Sequence, residues 1–399
     1  MVKINVLRKL VFTLFLFLLS CSDEKPGVDD ILLSVKEHFV PDSRVGIFDV
    51  KLIKAGNVYR LEGETDNYNA IKAIIDSLTR FHISFENNVE MLPQEQLEGR
   101  YRALVNISVC NIRKEPRHSS ELVTQSILGT PVKVLKEKGD WYLIQTPDQY
   151  LGWVDGGGIE LLSKKSSDDY FEREKIIFTG IYGFSYQKPE EVSTTISDLT
   201  SGNVLFLEEI LESYYKVSYP DGRIGYIKKS ESKPFDIWLA ENEFDQGKLT
   251  SRAFSMLGVP YLWGGTSSKG MDCSGFTKTV YFMNGYLLPR DASQQENIGT
   301  QVDDKKAFEK LQKGDLLFFG RQATDSTRER VVHVGMWIGD MKFIHASGDI
   351  HVSSMDPDSD IFDEYNLGRY LRTMRLAGSE DENNLTIEKR YFSAWQVNY

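Results

Sequence analysis

Two stretches of this chain, 101–163 and 175–230, repeat one design, and the repeat narrows what they can fold into. The first carries short alternating strands over 103–109, 130–136, 141–145 and 152–154. The second carries them over 176–182, 203–208, 214–218 and 225–227. Trp141-Tyr-Leu-Ile answers Tyr215-Lys-Val-Ser, and Gly152-Trp-Val answers Gly225-Tyr-Ile. Many short strands divided by turn residues predict small all-β barrels. Two are expected in tandem, at 100–165 and 170–232.

The flanking segments mix helix and strand. On the N-terminal side the pattern predicts a helix over 31–39, then strands over 45–53 and 58–62 around Gly56-Asn57. A second helix is expected over 68–81, where Ile71, Ile74, Ile75 and Leu78 have helical spacing. With a polar tether this makes a small α+β domain at 22–99. On the C-terminal side, 235–257 reads as helical, followed by a glycine-rich loop, a helix, and strands to about residue 374. That gives a domain at 236–376 and a polar tail at 377–399, whose Tyr391, Phe392 and Trp395 can dock back. The fold class of the chain is α+β, with the two β-barrels lying between its mixed segments.

Residues 1–21 read as a targeting segment. Lys3, Arg8 and Lys9 precede an apolar run over 10–19, too short for a spanning helix, which needs about 20 residues. Leu18-Leu19-Ser20-Cys21 resembles a bacterial lipobox. The resemblance implies lipidation of Cys21 and an exported lipoprotein of the cell envelope, in the periplasm or at the cell surface, touching membrane through its anchor only. A net charge of -11 without a Lys/Arg patch argues against nucleic acid as partner. Of the three cysteines, Cys110 lies in an alternating apolar stretch and is expected to be buried and inert. The chain is expected to act as a monomer.

The chemistry concentrates in 258–348. Asp272 stands as N-cap ahead of a helical stretch, so Cys273 sits at a helix start. The helix dipole there is expected to lower the thiol pKa. His333 and His345 lie on two alternating strands, with Gly339-Asp340-Met341 between them. A two-residue hairpin loop puts the two imidazoles on opposite faces, because side chains alternate along a strand. An odd-numbered loop such as 338–340, or a bulge, brings them to one face. One imidazole then faces the thiol and the other orients it, the logic of nucleophile, base and third group. A metal site built from Cys273, His333 and His345 is the rival, but the usual zinc spacings are absent. No metal and no cofactor is expected, and His351 is expected to be peripheral.

Pro260-Tyr-Leu-Trp-Gly-Gly, Met271-Asp-Cys-Ser-Gly-Phe, Pro289-Arg-Asp-Ala-Ser-Gln-Gln, Gly314-Asp-Leu-Leu-Phe-Phe, Val332-His-Val-Gly-Met-Trp-Ile-Gly and Phe343-Ile-His-Ala together resemble the NlpC/p60 family of cell-wall cysteine peptidases. Val105-Asn-Ile-Ser-Val-Cys-Asn-Ile-Arg and the Gly-aromatic strands resemble bacterial SH3-like domains. The resemblance implies a papain-like α+β core with Cys273 as nucleophile, His333 as general base and His345 as its orienting partner. It implies that Tyr261 helps hold the oxyanion with the backbone N–H of Cys273. By the same resemblance Asp272 and Ser274 contact the stem peptide, and Asp291 binds a substrate amine. Ala292 stands where the family often has Ser. Glu115 and Tyr150 of the first barrel are the candidates for selecting a free N-terminal L-Ala. The implied substrate is a peptidoglycan stem peptide or freed muropeptide, cut between γ-D-glutamate and meso-diaminopimelate or another diamino acid. The rivals are a non-enzymatic wall-binding lipoprotein and a papain-like amidase or acyltransferase.

Overall fold

The computed structural model describes residues 27–241 and 244–395, apart from the side chain of Phe392. The expected signal segment and Cys21 lie outside the described residues. Among the described residues, no helix is long and apolar enough to cross a membrane.

Residues up to Leu92 form one unit. It holds α1 (Val28–Phe39), β1 (Phe48–Ala55), β2 (Val58–Thr65), α2 (Tyr68–Arg80) and β3 (Phe85–Met91). Gly56, at φ 67°, turns β1 into its antiparallel partner β2. The chain then crosses through α2 to β3, which pairs parallel with β2. α2 starts where the Asn67 side chain accepts from Ala70 N at 3.0 Å. It buries Ala70, Ile71, Ile74 and Leu78 against Leu61 and Val50. The third strand escaped the sequence reading because its Asn87-Asn88 centre interrupts β propensity.

The second unit runs from Pro93. The first barrel comprises β4 (Arg102–Val105), β5 (Val109–Arg113), β6 (Leu122–Ile127), β7 (Pro131–Lys138), β8 (Trp141–Gln145), β9 (Leu151–Asp155) and β10 (Ile159–Leu161). After a linking helix α3 (Lys164–Glu172), the second comprises β11 (Lys175–Phe178), β12 (Tyr182–Tyr186), β13 (Thr195–Thr200), β14 (Val204–Ile210), β15 (Tyr214–Ser218), β16 (Ile224–Lys228) and β17 (Ser232–Pro234). Their strand orders are β10-β4-β7-β8-β9-β5-β6 and β17-β11-β14-β15-β16-β12-β13. Position by position these are one topology, so the repeat seen in the residues is a repeat of fold. α3 was not anticipated; Tyr170, 3% exposed, anchors it.

The helical stretch expected over 235–257 is two helices, α4 (Phe235–Ala240) and α5 (Gln246–Phe254). A new N-cap divides them: the Asp245 side chain accepts from Lys248 N at 2.7 Å. Next come the short strands β18 (Thr266–Ser267) and β19 (Gly270–Met271), then α6 (Cys273–Phe282) and α7 (Ala292–Gln295). The main sheet follows: β20 (Thr300–Asp303), β21 (Leu316–Arg321), β22 (Arg330–Gly339), β23 (Lys342–Ser347), β24 (Asp349–Ser354) and, after α8 (Glu364–Gly368), β25 (Tyr370–Arg375). Its order is β20-β25-β21-β22-β23-β24, antiparallel throughout. α6 packs on this sheet, with Phe276 and Val280 buried among Val334, Met336 and Ile344. Each such side chain removed from water contributes about 1.5–3 kcal/mol. A second cluster of Phe308, Leu317, Phe319, Trp337, Phe343 and Tyr370 completes the domain core. The tail carries α9 (Ile387–Ser393), and Tyr391 and Trp395 are buried as expected of docking residues.

Candidate active site

The position of Cys273 follows from its neighbours. Asp272 caps α6, accepting from Gly275 N at 2.7 Å, so the first helical residue is the cysteine. A Cβ on Gly275 would stand 1.9 Å from Gly265 O. Only glycine therefore lets the helix start rest on the Trp-Gly-Gly loop. Asp272 also accepts from Gly264 N at 3.0 Å and from both terminal nitrogens of Arg290, at 3.1 and 2.5 Å. Arg290 is 1% exposed and gives a further bond, at 3.0 Å, to Ser274 Oγ. The side chains of Asp272 and Ser274, expected to meet the stem peptide, are thus engaged with Arg290. They tie α6 to the Pro-Arg-Asp segment. Arg290 was not singled out from the sequence; an arginine after Leu287-Leu288-Pro289 is the one signal it carried.

The thiol itself corrects an expectation. Burial pushes Cys273 up to about 11, and the Asp272 carboxylate adds to the rise. The backbone N–H groups of Val334 and Ser274, with Arg290, pull the other way without prevailing. The resting group is therefore a thiol. Cys110 is buried and unpaired, pushed up to about 12 by burial. Its sulfur closes against Gly158, whose Cβ would lie 2.4 Å away.

The two histidines share a face through a bulge. Asp340 and Met341, at φ 51° and 56°, make a two-residue turn with β22 and β23 on either side. Alone, that turn would oppose the imidazoles. A register shift between Trp337 and Gly339 inserts one residue and brings them together. His333 Nε2 lies 2.8 Å from His345 Nδ1. His345 Nε2 lies 3.1 Å from Ser353 Oγ and 4.0 Å from Asp363 Oδ2. The base-competent assignment has His333 donating from Nε2 to His345 Nδ1 and His345 donating from Nε2 to Ser353. It leaves the His333 Nδ1 lone pair for a proton. Val334, the residue after His333, lies in the same buried cluster as Cys273, and its backbone N–H is among the groups that favour the thiolate.

Burial, then the neighbouring His345, Arg369 and His351, hold His333 well below the usual imidazole range. Burial, followed by His351, lowers His345 to about 4, against the pull of Asp363. His351, expected to be peripheral, stands directly across from His345 on β24, ring centroids 4.6 Å apart. Asp349 Oδ1 lies 2.9 Å from its Nδ1.

Tyr261 is half-buried against the cluster that contains Cys273. Its N–H donates to Gly348 O at 2.8 Å. Burial and then the Cys273 sulfur push its phenol up to about 12, so it remains a hydrogen-bond donor.

The first barrel reaches this site at Tyr150. That residue is 7% exposed, and its hydroxyl donates to Asp291 Oδ2 at 3.1 Å, while Asp291 caps α7. Glu115 behaves differently. Its side chain is 55% exposed and its carboxylate accepts from Arg117 Nε at 2.9 Å, so the contacts of Glu115 lie within the barrel. Glu121, on the same hairpin, does meet the peptidase-like domain: it accepts from Trp263 Nε1 at 3.0 Å. Gln125 joins in, its Oε1 accepting from Thr266 N and Ser267 Oγ, each at 3.0 Å. No sequence signal links residues some 140 positions apart. Ala292 is buried and brings no hydroxyl.

Known proteins resemble the chain module by module. The NlpC/P60 family model matches residues 258–369, the bacterial SH3 domain model 108–160, and the GW (Gly-Tryp) dipeptide domain model 183–232. The gamma-D-glutamyl-L-lysine dipeptidyl-peptidase of Bacillus cereus is 32% identical over 240 residues, 57% of this chain and 68% of that protein. Dipeptidyl-peptidase 6 of Lysinibacillus sphaericus is 27% identical over 272 residues, 65% of this chain and 94% of that protein. Among solved structures, an NlpC/P60 family protein from Bacillus cereus superposes with a TM-score of 0.59 at 25% identity, covering 69% of this chain and 99% of that one. An NlpC/P60 endopeptidase from Photobacterium damselae subsp. piscicida, 14% identical with a TM-score of 0.53, shares the fold over 72% of this chain and 76% of its own.

Proposed function

The chain belongs to the NlpC/P60 family, and from that premise we propose that it is a cysteine endopeptidase cutting the γ-D-glutamyl–diamino acid bond of peptidoglycan stem peptides. The observation that carries the proposal is the 2.8 Å contact between His333 Nε2 and His345 Nδ1, on the two strands against which the helix started by Cys273 packs. The name of the Bacillus cereus relative, a γ-D-glutamyl-L-lysine dipeptidyl-peptidase, supports the bond class.

In the proposed reaction Cys273 Sγ attacks the γ-carbonyl carbon while its proton passes to His333 Nδ1. The oxyanion is held by the Tyr261 hydroxyl and the Cys273 N–H. His345 keeps the imidazole oriented and stabilises its charged form. His333 then protonates the leaving amine of the diamino acid, giving a thioester. Water, deprotonated by His333, hydrolyses that thioester and restores the thiol.

Asp291, with Tyr150 fixing its carboxylate, is the proposed acceptor for a free N-terminal L-Ala ammonium. A carboxylate in a walled pocket rejects an acylated L-Ala that cannot offer the charge. The preferred substrate is accordingly a freed muropeptide, in a wall-recycling role. The proposed location is the cell envelope, through a lipid on Cys21.

Mass spectrometry of digests tests this with two substrates, one with free N-terminal L-Ala and one still attached to glycan. Wild type is expected to release L-Ala-γ-D-Glu from the free peptide alone, and Cys273→Ala to release none. Cleavage of both substrates keeps the nucleophile and removes the amine-binding role. Absence of Cys273-dependent cleavage sinks the peptidase reading.

A further inference from the structure

The C-terminal segment plays no part in the chemistry above, yet it is buried at two places where modules meet. The loop after α6 fixes its start: Leu287 N donates to Leu385 O at 2.6 Å, and Ile387 N to Gly285 O at 2.9 Å. Ile387 and Tyr391 then enter a cluster drawn from all three modules. Phe282, Met283 and Leu287 come from the peptidase domain, Ile177 and Val204 from the second barrel, and Ile127 from the first. Four residues on, Trp395 is 5% exposed among Leu104 and Leu162 of the first barrel, Tyr170 of α3 and Phe206 of the second barrel. Its rings lie 5.2 Å from Tyr170 and 5.4 Å from Phe171, both edge-on. Its Nε1 donates to Val132 O, on β7 of the first barrel, at 3.0 Å. A tryptophan pairing its one donor with a backbone carbonyl in an aromatic setting is a fixed anchor.

We infer that segment 385–395 is a strap holding the first barrel against the peptidase domain, and that Trp395 is thereby a positioning residue for substrate selection. The inference rests on the proposed activity. Its route is short. Tyr391 borders a cavity with Thr130, Thr146, Asp148 and Lys278. Asp148 pairs there with Lys278, on the shank of α6. Two residues beyond Asp148, Tyr150 reaches Asp291. The strap therefore presses on the loop that carries the selecting tyrosine. The barrel keeps independent contacts through Gln125 to Thr266 and Ser267. Loss of the anchor loosens the loop without detaching the barrel.

The test uses the full chain with Trp395→Ala and Trp395→Phe, the latter keeping an aromatic ring while losing the donated bond and part of the buried area. For the peptide with free N-terminal L-Ala, Trp395→Ala is expected to raise KM about tenfold, which corresponds to about 1.4 kcal/mol. For a γ-D-glutamyl–diamino acid dipeptide lacking L-Ala, kcat/KM stays at the wild-type value. Trp395→Phe falls between. Amide hydrogen exchange over 146–150 is expected to quicken in Trp395→Ala. Equal losses on both substrates, no loss on either, or unchanged exchange over 146–150 each overturn the strap. Should wild type cleave neither substrate, the activity reading fails by itself, and the exchange measurement still decides the strap. Should Trp395→Ala not fold, the comparison of Trp395→Phe with wild type decides it.

Discussion

At Cys273 two effects oppose each other, and their sizes decide the outcome. A helix start favours a thiolate by about 0.3–1 kcal/mol. Burial works the other way: a rise from the ordinary thiol range to about 11 represents about 3 kcal/mol. The free enzyme therefore holds a thiol and a neutral imidazole, and the proton passes to His333 as the sulfur attacks the substrate. Because the pKa is raised, thiolate accumulates only on the alkaline side. Alkylation of Cys273 by iodoacetamide, read by mass spectrometry, is expected to accelerate about tenfold per pH unit from pH 7 to 10. A rate already flat at pH 7 would mean that His333 holds the proton in the resting enzyme. Legibility differs sharply at this scale. The placement of Cys273 at a helix start and of His333 and His345 on paired strands was readable because these residue types stand in patterned elements. Arg290 and Glu121 were not, because their roles come from partners far away in the chain: Asp272 for one and Trp263 for the other.

α6 shows how one carboxylate sets an element. Asp272 caps the helix, accepts from the Gly264 amide and neutralises an arginine 1% exposed to solvent. Removing it by Asp272→Ala leaves a buried guanidinium without its counter-charge, and such a loss costs about 3–5 kcal/mol. Asp272→Asn keeps a capping oxygen and loses the charge, so it is expected to fall between Ala and wild type. Denaturant melts of the three proteins measure this. Equal stability for all three would mean that Arg290 finds another partner or water. The hairpin of β22 and β23 makes the complementary point about elements. Both strands and the hairpin they form were legible from alternation; the turn is two residues long. What joined the imidazoles was the bulge after Trp337, one of the two ways the sequence left open. Alternation cannot distinguish them, since inserting one residue in a strand or in its loop shifts the register equally. Helix α3 went unread for a different reason: Lys164-Lys-Ser-Ser-Asp-Asp has little apolar periodicity, and its one deeply buried aromatic, Tyr170, is held by other modules.

Module order was readable from motif and repeat, but the way modules grip one another was not, since interface residues carry no pattern of their own. The buried pair of Asp148 and Lys278 illustrates the consequence. Their side chains are 4% and 11% exposed, one on the first barrel and one on α6. Taking two charges out of water offsets much of their attraction, so such a pair adds little net stability, while either member left alone is expensive. Lys278→Met is therefore expected to lower unfolding stability by about 3–5 kcal/mol, and Asp148→Leu combined with Lys278→Met to restore most of it. Activity is expected to part company with stability in the double variant. Tyr150 follows Asp148 by two residues, and the ion pair is a directional contact tying that loop to α6. KM for the free-amine peptide should stay raised even where the melting curve has recovered. Denaturant melts and steady-state kinetics on the same preparations separate the two quantities. Recovery of both would show that apolar packing alone seats the barrel. Recovery of stability without recovery of KM would assign the charge pair to selectivity.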